Sequence, residues 1–287
     1  MSLLSSQLEA FQKIAELKTV HGAAVELHVT QTAVTQRIRA LESRLGSTLF
    51  RRTRRGMLLT ESGEALLRYC HAAMDLEKET LAMINGAGVE MEVRISITGP
   101  NSIMRSRIIP QCFPVMQQFP NLLMSFDVAD TGGRDQMLRS GQCQFAIIPP
   151  ENVAKEMQTK VLKPEKYVLV CGKQRQERSI ADIIKHEREL EFNAQDYISF
   201  NYLKKYNLFK IAKPERHFVN RTESLAMMLI QGFGYSTLTT EFAEPYVERD
   251  QLIILNQGKT YLNNLVLAWY QRSEPPRYFS KLIESIS

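Results

Sequence analysis

Residues 30–45, TQTAVTQRIRALESRL, combine an apolar and a polar helical face in one short segment. The apolar side chains recur at steps of three and four residues, which places them on one face of an α-helix: Val34, Ile38, Leu41 and Leu45. Thr30 stands where a helix cap belongs, because its hydroxyl can accept an unpaired backbone N–H of the first turn. The stretch therefore predicts an amphipathic helix that begins after Thr30.

The opposite face of this helix is rich in hydrogen-bonding side chains: Gln31, Thr32, Thr35, Gln36 and Arg39, with Arg37 on the flank. Gln can pair with an adenine edge, Thr can touch a thymine methyl, and Arg can bind guanine or a phosphate. Residues 22–27, GAAVEL, predict a second short helix, which a turn at His28-Val29 joins to the first. The pair predicts a helix-turn-helix whose second helix reads DNA. The simpler alternative is an ordinary amphipathic helix with a solvated face.

Positive charge is concentrated beside this helix. Residues 37–55 contain seven arginines, no lysine and one acid, Glu42. Residues 49–60, LFRRTRRGMLLT, predict two short strands joined by an Arg-Arg-Gly turn, which is a β-wing with a cationic tip. We expect Arg52, Arg54 and Arg55 to contact the DNA backbone. The net charge of +5 is too small to indicate a nucleic-acid partner by itself. The concentration of arginine within residues 37–55 is what indicates one.

These features resemble the LysR-type transcriptional regulators. The matching residues keep the spacing of that family's N-terminal domain: Leu8, Phe11, Ala23, Ala24, Leu27, Thr30, Gln31, Ala33, Val34, Thr35, Ile38, Leu41, Glu42, Leu45, Gly46, Leu49, Phe50, Arg52, Leu59, Thr60 and Gly63. One departure is Val20-His21, where members usually carry Ser or Thr with Phe, and we expect it to alter packing rather than DNA contact. Within the family, the chain is most similar to the branch that regulates lysine and arginine export, through residues 35–38, Asp130-Thr131, Phe200-Asn201, residues 217–220 and Glu223.

Residues 61–90 predict a long linker helix. Its apolar positions alternate at steps of three and four and form a heptad seam, which we expect to hold a dimer together: Leu66, Tyr69, Ala73, Leu76 and Met83. The alternative is a helix that lies on the core of its own domain. The resemblance also implies a dimerising linker helix, in a dimer or a tetramer.

Beyond residue 90, strands and helices alternate, which predicts an α/β domain with a largely parallel sheet. The resemblance implies a periplasmic-binding-protein-like effector domain of two α/β subdomains. We expect residues 1–60 to form the winged helix-turn-helix and residues 91–287 the effector domain. Subdomain I is expected over about 91–165 and 265–287, and subdomain II over about 166–264. In subdomain II, Tyr197–Phe200 is predicted as a strand.

Ligands of open α/β sheets bind beyond the carboxyl ends of strands, against helix N-termini. The junctions of this type supply the candidate effector-binding residues: Ser102, Asp130, Thr131, Asn201, Asn220, Thr222 and Glu223. Their hydroxyls could bind a carboxylate and their carboxylates an ammonium group, although each residue taken singly could be a helix cap or a turn residue. Lys204 and Lys205 follow Asn201 where the export regulators tend to be acidic, which indicates that the effector class could differ.

The sequence argues against several other classes of protein. No apolar run approaches the ~20 residues of a membrane span, and the N-terminus lacks the layout of a signal peptide. The four cysteines are widely spaced, so we expect buried thiols in a reducing cytoplasm, with a redox-sensing pair as the alternative. The five histidines are scattered. One group on the linker helix has the residue types of a metal site, Cys70, His71 and Asp75, but the heptad seam already accounts for that part of the helix. We expect no catalytic set, no metal site and no cofactor.

The sequence thus predicts a transcriptional regulator that binds specific double-stranded DNA. A small-molecule effector, with an amino acid as a candidate, would act through the C-terminal cleft, and RNA polymerase is a further candidate partner. One alternative is a solute-binding or transport module that uses its N-terminal helices only for assembly. Another is a DNA-binding protein without an effector.

Overall fold

The computed structural model describes residues 4–54, 56–84, 92–128, 133–194, 197–272 and 275–287, without the side chains of residue 75 and residues 78–84. The N-terminal elements are α1 Ser6–Leu17, α2 Val20–Glu26, α3 Gln31–Leu45, β1 Phe50–Thr53, β2 Gly56–Leu59 and the linker helix α4 Glu61–Ile84. No helix within the described ranges is long and apolar enough to cross a membrane.

The helix α3 begins where the sequence predicts. The Thr30 hydroxyl accepts a hydrogen bond from the backbone N–H of Ala33 at 3.1 Å, which satisfies one unpaired donor of the first turn. The apolar face packs against α1 and α2 with Val34, Ile38 and Leu41 buried. The inclusion of Leu45 in this face is wrong, because the side chain is 45% exposed at the last helical position, where Gly46 turns the chain away at φ 61°.

The wing is an antiparallel pair of strands in which Phe50 faces Leu59 and Thr53 faces Gly56. Gly56 has a φ of 106°, and a Cβ atom there would lie 2.5 Å from the carbonyl oxygen of Lys18. The backbone N–H of Met57 donates to that same oxygen at 2.8 Å. Glycine is therefore required at the tip, since the wing lies directly on the end of α1.

The C-terminal elements follow in chain order: β3 Val93–Gly99, α5 Asn101–Ile103, α6 Ile109–Gln118, β4 Leu122–Val128, α7 Arg134–Arg139, β5 Phe145–Ile148, β6 Met157–Val161, β7 Glu165–Gly172, α8 Ile180–His186, β8 Glu189–Glu191, α9 Tyr197–Lys205, β9 Arg216–Phe218, α10 Thr222–Ile230, β10 Tyr235–Thr239, α11 Thr240–Glu248, β11 Leu252–Ile254, β12 Thr260–Asn263, β13 Val266–Tyr270 and α12 Arg277–Ser285. A π-helical segment, Met104–Ile108, joins α5 to α6.

These strands form two sheets, one for each α/β subdomain. The first has the order β4-β3-β5-β13-β6, and the second has the order β11-β7-β10-β8-β9 with β12 also paired to β7. The chain passes from the first sheet to the second between β6 and β7 and returns between β12 and β13. The fold class predicted from the sequence, two α/β subdomains behind a helix-turn-helix, is confirmed.

Two details of that prediction are wrong. The sheets are mixed rather than largely parallel, because β13 runs antiparallel to β5 and β6, and β7 runs antiparallel to β10, β11 and β12. Alternation along the chain does not reveal which sheet the next strand joins. The predicted strand Tyr197–Phe200 is instead the start of α9, in which Ser199, Tyr202 and Leu203 are buried at helical spacing.

Candidate functional site

The face of α3 opposite its buried side carries the predicted DNA-reading set. Gln31, Thr32, Gln36 and Arg39 are exposed, and Thr35 and Arg37 are half-buried. The Thr35 hydroxyl donates to the carbonyl oxygen of Gln31 at 2.8 Å, so its donor is used inside the helix. What remains outward from Thr35 is a methyl group and acceptor lone pairs, both of which can meet a base edge.

A side chain of the neighbouring helix α2 also contacts this face. The Gln31 Nε2 atom lies 3.1 Å from the His21 Nδ1 atom, at hydrogen-bonding distance. The sequence predicts that the departure at Val20-His21 alters packing rather than DNA contact, and this stays a prediction. The imidazole contacts Gln31, one of the six side chains expected to read DNA, because α2 crosses beside the first turn of α3.

The wing carries exposed arginines at its tip. Arg52 and Arg54 are exposed, and Arg55 lies outside the described residues. The Thr53 hydroxyl donates to the carbonyl oxygen of Gly56 at 3.0 Å and closes the turn between the strands. Exposed guanidinium groups on a wing can contact DNA phosphates.

The linker helix presents an exposed apolar stripe. Tyr69 is 58% and Leu76 is 63% exposed, while Leu66 and Ala73 are half-buried. The side chain of Met83 lies outside the described residues. The dimer seam predicted from the sequence requires apolar side chains that are exposed in the single chain, and Tyr69 and Leu76, one heptad apart, meet this requirement. The seam itself stays a prediction.

A second face of the linker helix packs on the first sheet's subdomain. The Arg68 Nη1 atom donates to the carbonyl oxygen of Arg139 at 2.6 Å, and the guanidinium carbon lies 3.6 Å from the ring centroid of Tyr270. The Gln136 Nε2 atom donates to Glu64 Oε1 at 2.6 Å. A Cβ atom at Gly141 would lie 3.0 Å from the Cα of Arg68. The helix that leaves the DNA-binding unit is thus in direct contact with the α/β unit.

Between the two sheets lies a cleft of about 690 Å³, lined by residues of both subdomains. Of the predicted effector-binding residues, Ser102, Asn201 and Thr222 line it. Asn220 and Glu223 do not, and Glu223 instead pairs with Arg105 at 2.5 Å near the surface. Asp130 and Thr131 lie outside the described residues. Three of the seven candidates therefore lie together around one cavity.

A buried carboxylate that the sequence did not single out lies in the wall of this cleft. Glu165 is 2% exposed. Its Oε1 accepts a hydrogen bond from the Ser102 hydroxyl at 2.6 Å, and its Oε2 accepts one from Asn263 Nδ2 at 2.9 Å. Burial raises the pKa of the Glu165 carboxyl, and these two hydrogen bonds act against that rise.

The other charged side chains among the described lining residues are Arg134 and Glu151. Lys204 and Lys205 do not line the cleft. Lys204 lies over the ring of Phe200, and the Lys205 ammonium donates to the carbonyl oxygen of Thr260 at 3.2 Å. The two lysines therefore add no positive charge to the cleft wall, and they give no reason to exclude a cationic ligand.

The four cysteines are buried, and burial raises their pKa to about 11 for Cys70 and Cys171 and to about 12 for Cys112 and Cys143. Such thiols stay protonated near neutral pH and react slowly. Within the described residues, no group of three or more His, Cys, Asp or Glu side chains is placed to hold a metal ion.

Comparison with known proteins gives two family matches. The family described as bacterial regulatory helix-turn-helix protein, lysR family, matches residues 5–64, and the LysR substrate binding domain matches residues 89–287. Among curated proteins, the transcriptional regulator LysG of Mycobacterium tuberculosis (strain H37Rv) is 26% identical over 242 residues, covering 83% of this chain and 78% of LysG.

Solved structures share the fold over nearly the whole chain. ArgP from Mycobacterium tuberculosis superposes with a TM-score of 0.77 at 22% identity, covering 99% of this chain and 96% of that one. Full-length LysG from Corynebacterium glutamicum with bound effector Arg gives a TM-score of 0.74 at 19% identity, covering 98% and 95%.

Proposed function

The chain belongs to the LysR family of bacterial transcriptional regulators, and from that premise we propose how it binds DNA and what controls the binding. It is a DNA-binding regulator with an effector domain. We assign base reading to Gln31, Thr35 and Gln36. The observation that supports this assignment is the exposed polar face of α3, which lies opposite the buried Val34, Ile38 and Leu41.

Fluorescence anisotropy of the full-length protein on specific and random duplexes, across a salt series, tests this proposal. Sequence-specific binding with a steep salt dependence is expected, because base contacts add to a phosphate term that weakens as counterions are added. A protein that binds neither duplex while its cleft takes up a solute would favour the solute-binding alternative.

The effector in this proposal is an α-amino acid. A cleft of about 690 Å³ is in the size range of small-molecule sites, and its wall carries both a guanidinium group and carboxylates. The similarity to LysG with bound effector Arg supports the same class. Thr222 opens α10 in the cleft wall, and α10 has no side-chain cap, so its first backbone N–H groups suit a carboxylate.

A thermal-shift screen of the full-length protein against the common amino acids tests the effector class. A ligand present at 100 times its Kd should stabilise the protein by about 2.7 kcal/mol, which is a clear rise in Tm. An absence of any shift in a protein that still binds DNA would indicate DNA binding without an amino-acid effector.

The remaining assignments extend the proposal. The protein acts in the cytoplasm as a dimer or tetramer through Leu66, Tyr69, Ala73, Leu76 and Met83, with RNA polymerase as a further partner and without enzymatic activity. Residues 1–60 bind DNA, residues 61–90 link and dimerise, and residues 91–287 bind the effector. The Arg68 contacts with Arg139 and Tyr270 support a direct mechanical connection, because a change in the α/β unit would move the linker helix.

A further inference from the structure

We propose that His21 is a positioning residue for DNA reading, which holds the side-chain amide of Gln31 in the orientation that selects adenine. The inference rests on the proposed base reading by α3 and deepens it. It assigns a base to Gln31, and it makes that choice depend on a second residue. In this role His21 acts through Gln31 and makes no DNA contact of its own.

Gln31 lies where a recognition helix meets base edges. It is the first residue of α3, and its side chain is exposed. When a recognition helix lies in the major groove, its N-terminal residues are the ones that contact bases. The Thr30 hydroxyl already caps this end of α3 through the backbone N–H of Ala33, so the Gln31 side chain is not needed as a cap. Its amide is therefore available to a base.

The fold of α2 makes little use of the His21 side chain. The neighbouring Val20 packs against the hydrophobic core of the N-terminal unit, whereas His21 is exposed. The start of α2 is capped by Thr19, whose hydroxyl accepts a hydrogen bond from the backbone N–H of Gly22 at 3.0 Å. The hydrogen bond between His21 and Gln31 therefore concerns the DNA-reading face more than the stability of α2.

This hydrogen bond fixes which way the Gln31 amide points. The Gln31 Nε2 atom can only donate, so the His21 Nδ1 atom, 3.1 Å away, accepts, and the neutral imidazole carries its proton on its own Nε2 atom. A free glutamine amide has two orientations, related by a half-turn of its last torsion, which exchange the nitrogen and the oxygen. In the exchanged orientation the Gln31 oxygen faces the lone pair of Nδ1. The imidazole therefore favours one of the two orientations.

The groups that remain on the Gln31 amide match adenine. The amide has two N–H donors and one oxygen, and the bond to His21 uses one donor. One N–H and the oxygen remain, and these are the donor and acceptor that adenine N7 and the adenine N6 amino group require. Guanine presents two acceptors, N7 and O6, so the amide oxygen would lie against O6. The anchored amide should therefore select adenine and reject guanine.

Selection of binding sites from a random DNA library, followed by fluorescence anisotropy on duplexes that differ at one base pair, tests the inference with the full-length protein. The position that Gln31 reads is the one at which Gln31→Ala relaxes the preference. There the wild-type protein should prefer adenine over guanine by roughly fivefold or more, as a bidentate contact predicts. His21→Ala should lower that ratio about 2- to 10-fold, the effect of one net hydrogen bond, and leave the affinity for random DNA unchanged.

Three comparisons separate positioning from a general effect on the fold. In a Gln31→Ala background, His21→Ala should not change the base preference further, because the side chain through which it acts is gone. His21→Asn should keep most of the preference, since the asparagine oxygen takes the place of Nδ1 and can accept from Gln31. His28→Asn is the matched control and should keep the wild-type ratio. His28 is an exposed histidine at the turn between α2 and α3, with a φ of 54° that asparagine tolerates.

The contrary outcomes are distinct. An unchanged ratio in His21→Ala, or an equal loss in His21→Ala and His21→Asn, overturns positioning by His21 and leaves base reading by Gln31 in place. Selection of a base other than adenine at the Gln31 position overturns the assigned orientation of the amide. If Gln31→Ala relaxes no position of a selected site, base reading by Gln31 fails, and this inference fails with it. If His21→Ala does not fold, His21→Leu, which has the shape of asparagine without its acceptor, takes its place.

Discussion

Replacement of Leu76 by Glu should dissociate the regulator into monomers. Leu76 is 63% exposed on the linker helix, in line with the exposed Tyr69 one heptad earlier. If this stripe faces a second copy, each dimer buries two Leu76 side chains. The substitution would remove that burial and place two like charges at the seam.

The magnitude follows from the exposed fraction. Full burial of a leucine side chain is worth roughly 1.5–3 kcal/mol, so the exposed part of Leu76 contributes about 1–2 kcal/mol per chain and about 2–4 kcal/mol per dimer. Desolvation of the new carboxylates adds several kcal/mol per ion. A total loss of at least about 4 kcal/mol raises the dissociation constant about a thousandfold.

Sedimentation velocity at low micromolar concentration measures the result. Val25→Glu is the matched control, because Val25 is 61% exposed but lies on α2, away from the stripe. The control should keep the wild-type mass, while Leu76→Glu should sediment as a monomer. A Leu76→Glu protein with the wild-type mass would show that the stripe does not form the interface.

Four further predictions follow from the DNA-binding unit and the thiols. Thr30→Ala should cost about 1 kcal/mol of unfolding free energy in urea, since it removes the cap of α3, and an unchanged value would exclude a capping role. Gln36→Ala should lose ~1–3 kcal/mol on a specific site and nothing on random DNA, whereas equal losses would argue against base reading. Combining Arg52→Ala with Arg54→Ala should make the negative slope of log K against log salt shallower by roughly 1 for each phosphate contact removed, and an unchanged slope would show that these arginines do not contact DNA phosphates. The cysteines should resist iodoacetamide at pH 8 until the protein is unfolded, because the lowest pKa among them is about 11, and rapid alkylation of the folded protein would contradict this.

The sequence predicted the DNA-binding unit well because its information is local. The cap, buried face and polar face of α3 all lie within residues 30–45, and the wing follows directly. Helical periodicity and turn chemistry are read over such distances. Leu45 was misplaced because a periodic pattern does not show where a helix ends relative to its neighbours.

The effector site depended on contacts that the sequence does not display. Ser102 and Asn263 lie 63 and 98 residues from Glu165, and the segment Lys163–Lys166 reads locally as a polar turn before a strand. The helix that begins at Tyr197 was missed because a short apolar run fits both a strand and a helix start. The junction rule still found three lining residues, because it rests on the geometry of the α/β fold.

Selection of binding sites from a random DNA library by the full-length protein tests most directly whether α3 reads bases as part of a symmetric regulator. The structure predicts enrichment of two related half-sites, separated by about 10–10.5 base pairs or a multiple of that distance. In Gln36→Ala, the preference should relax at one base pair of each half-site. A folded wild-type protein that enriches no sequence would contradict base reading by this helix.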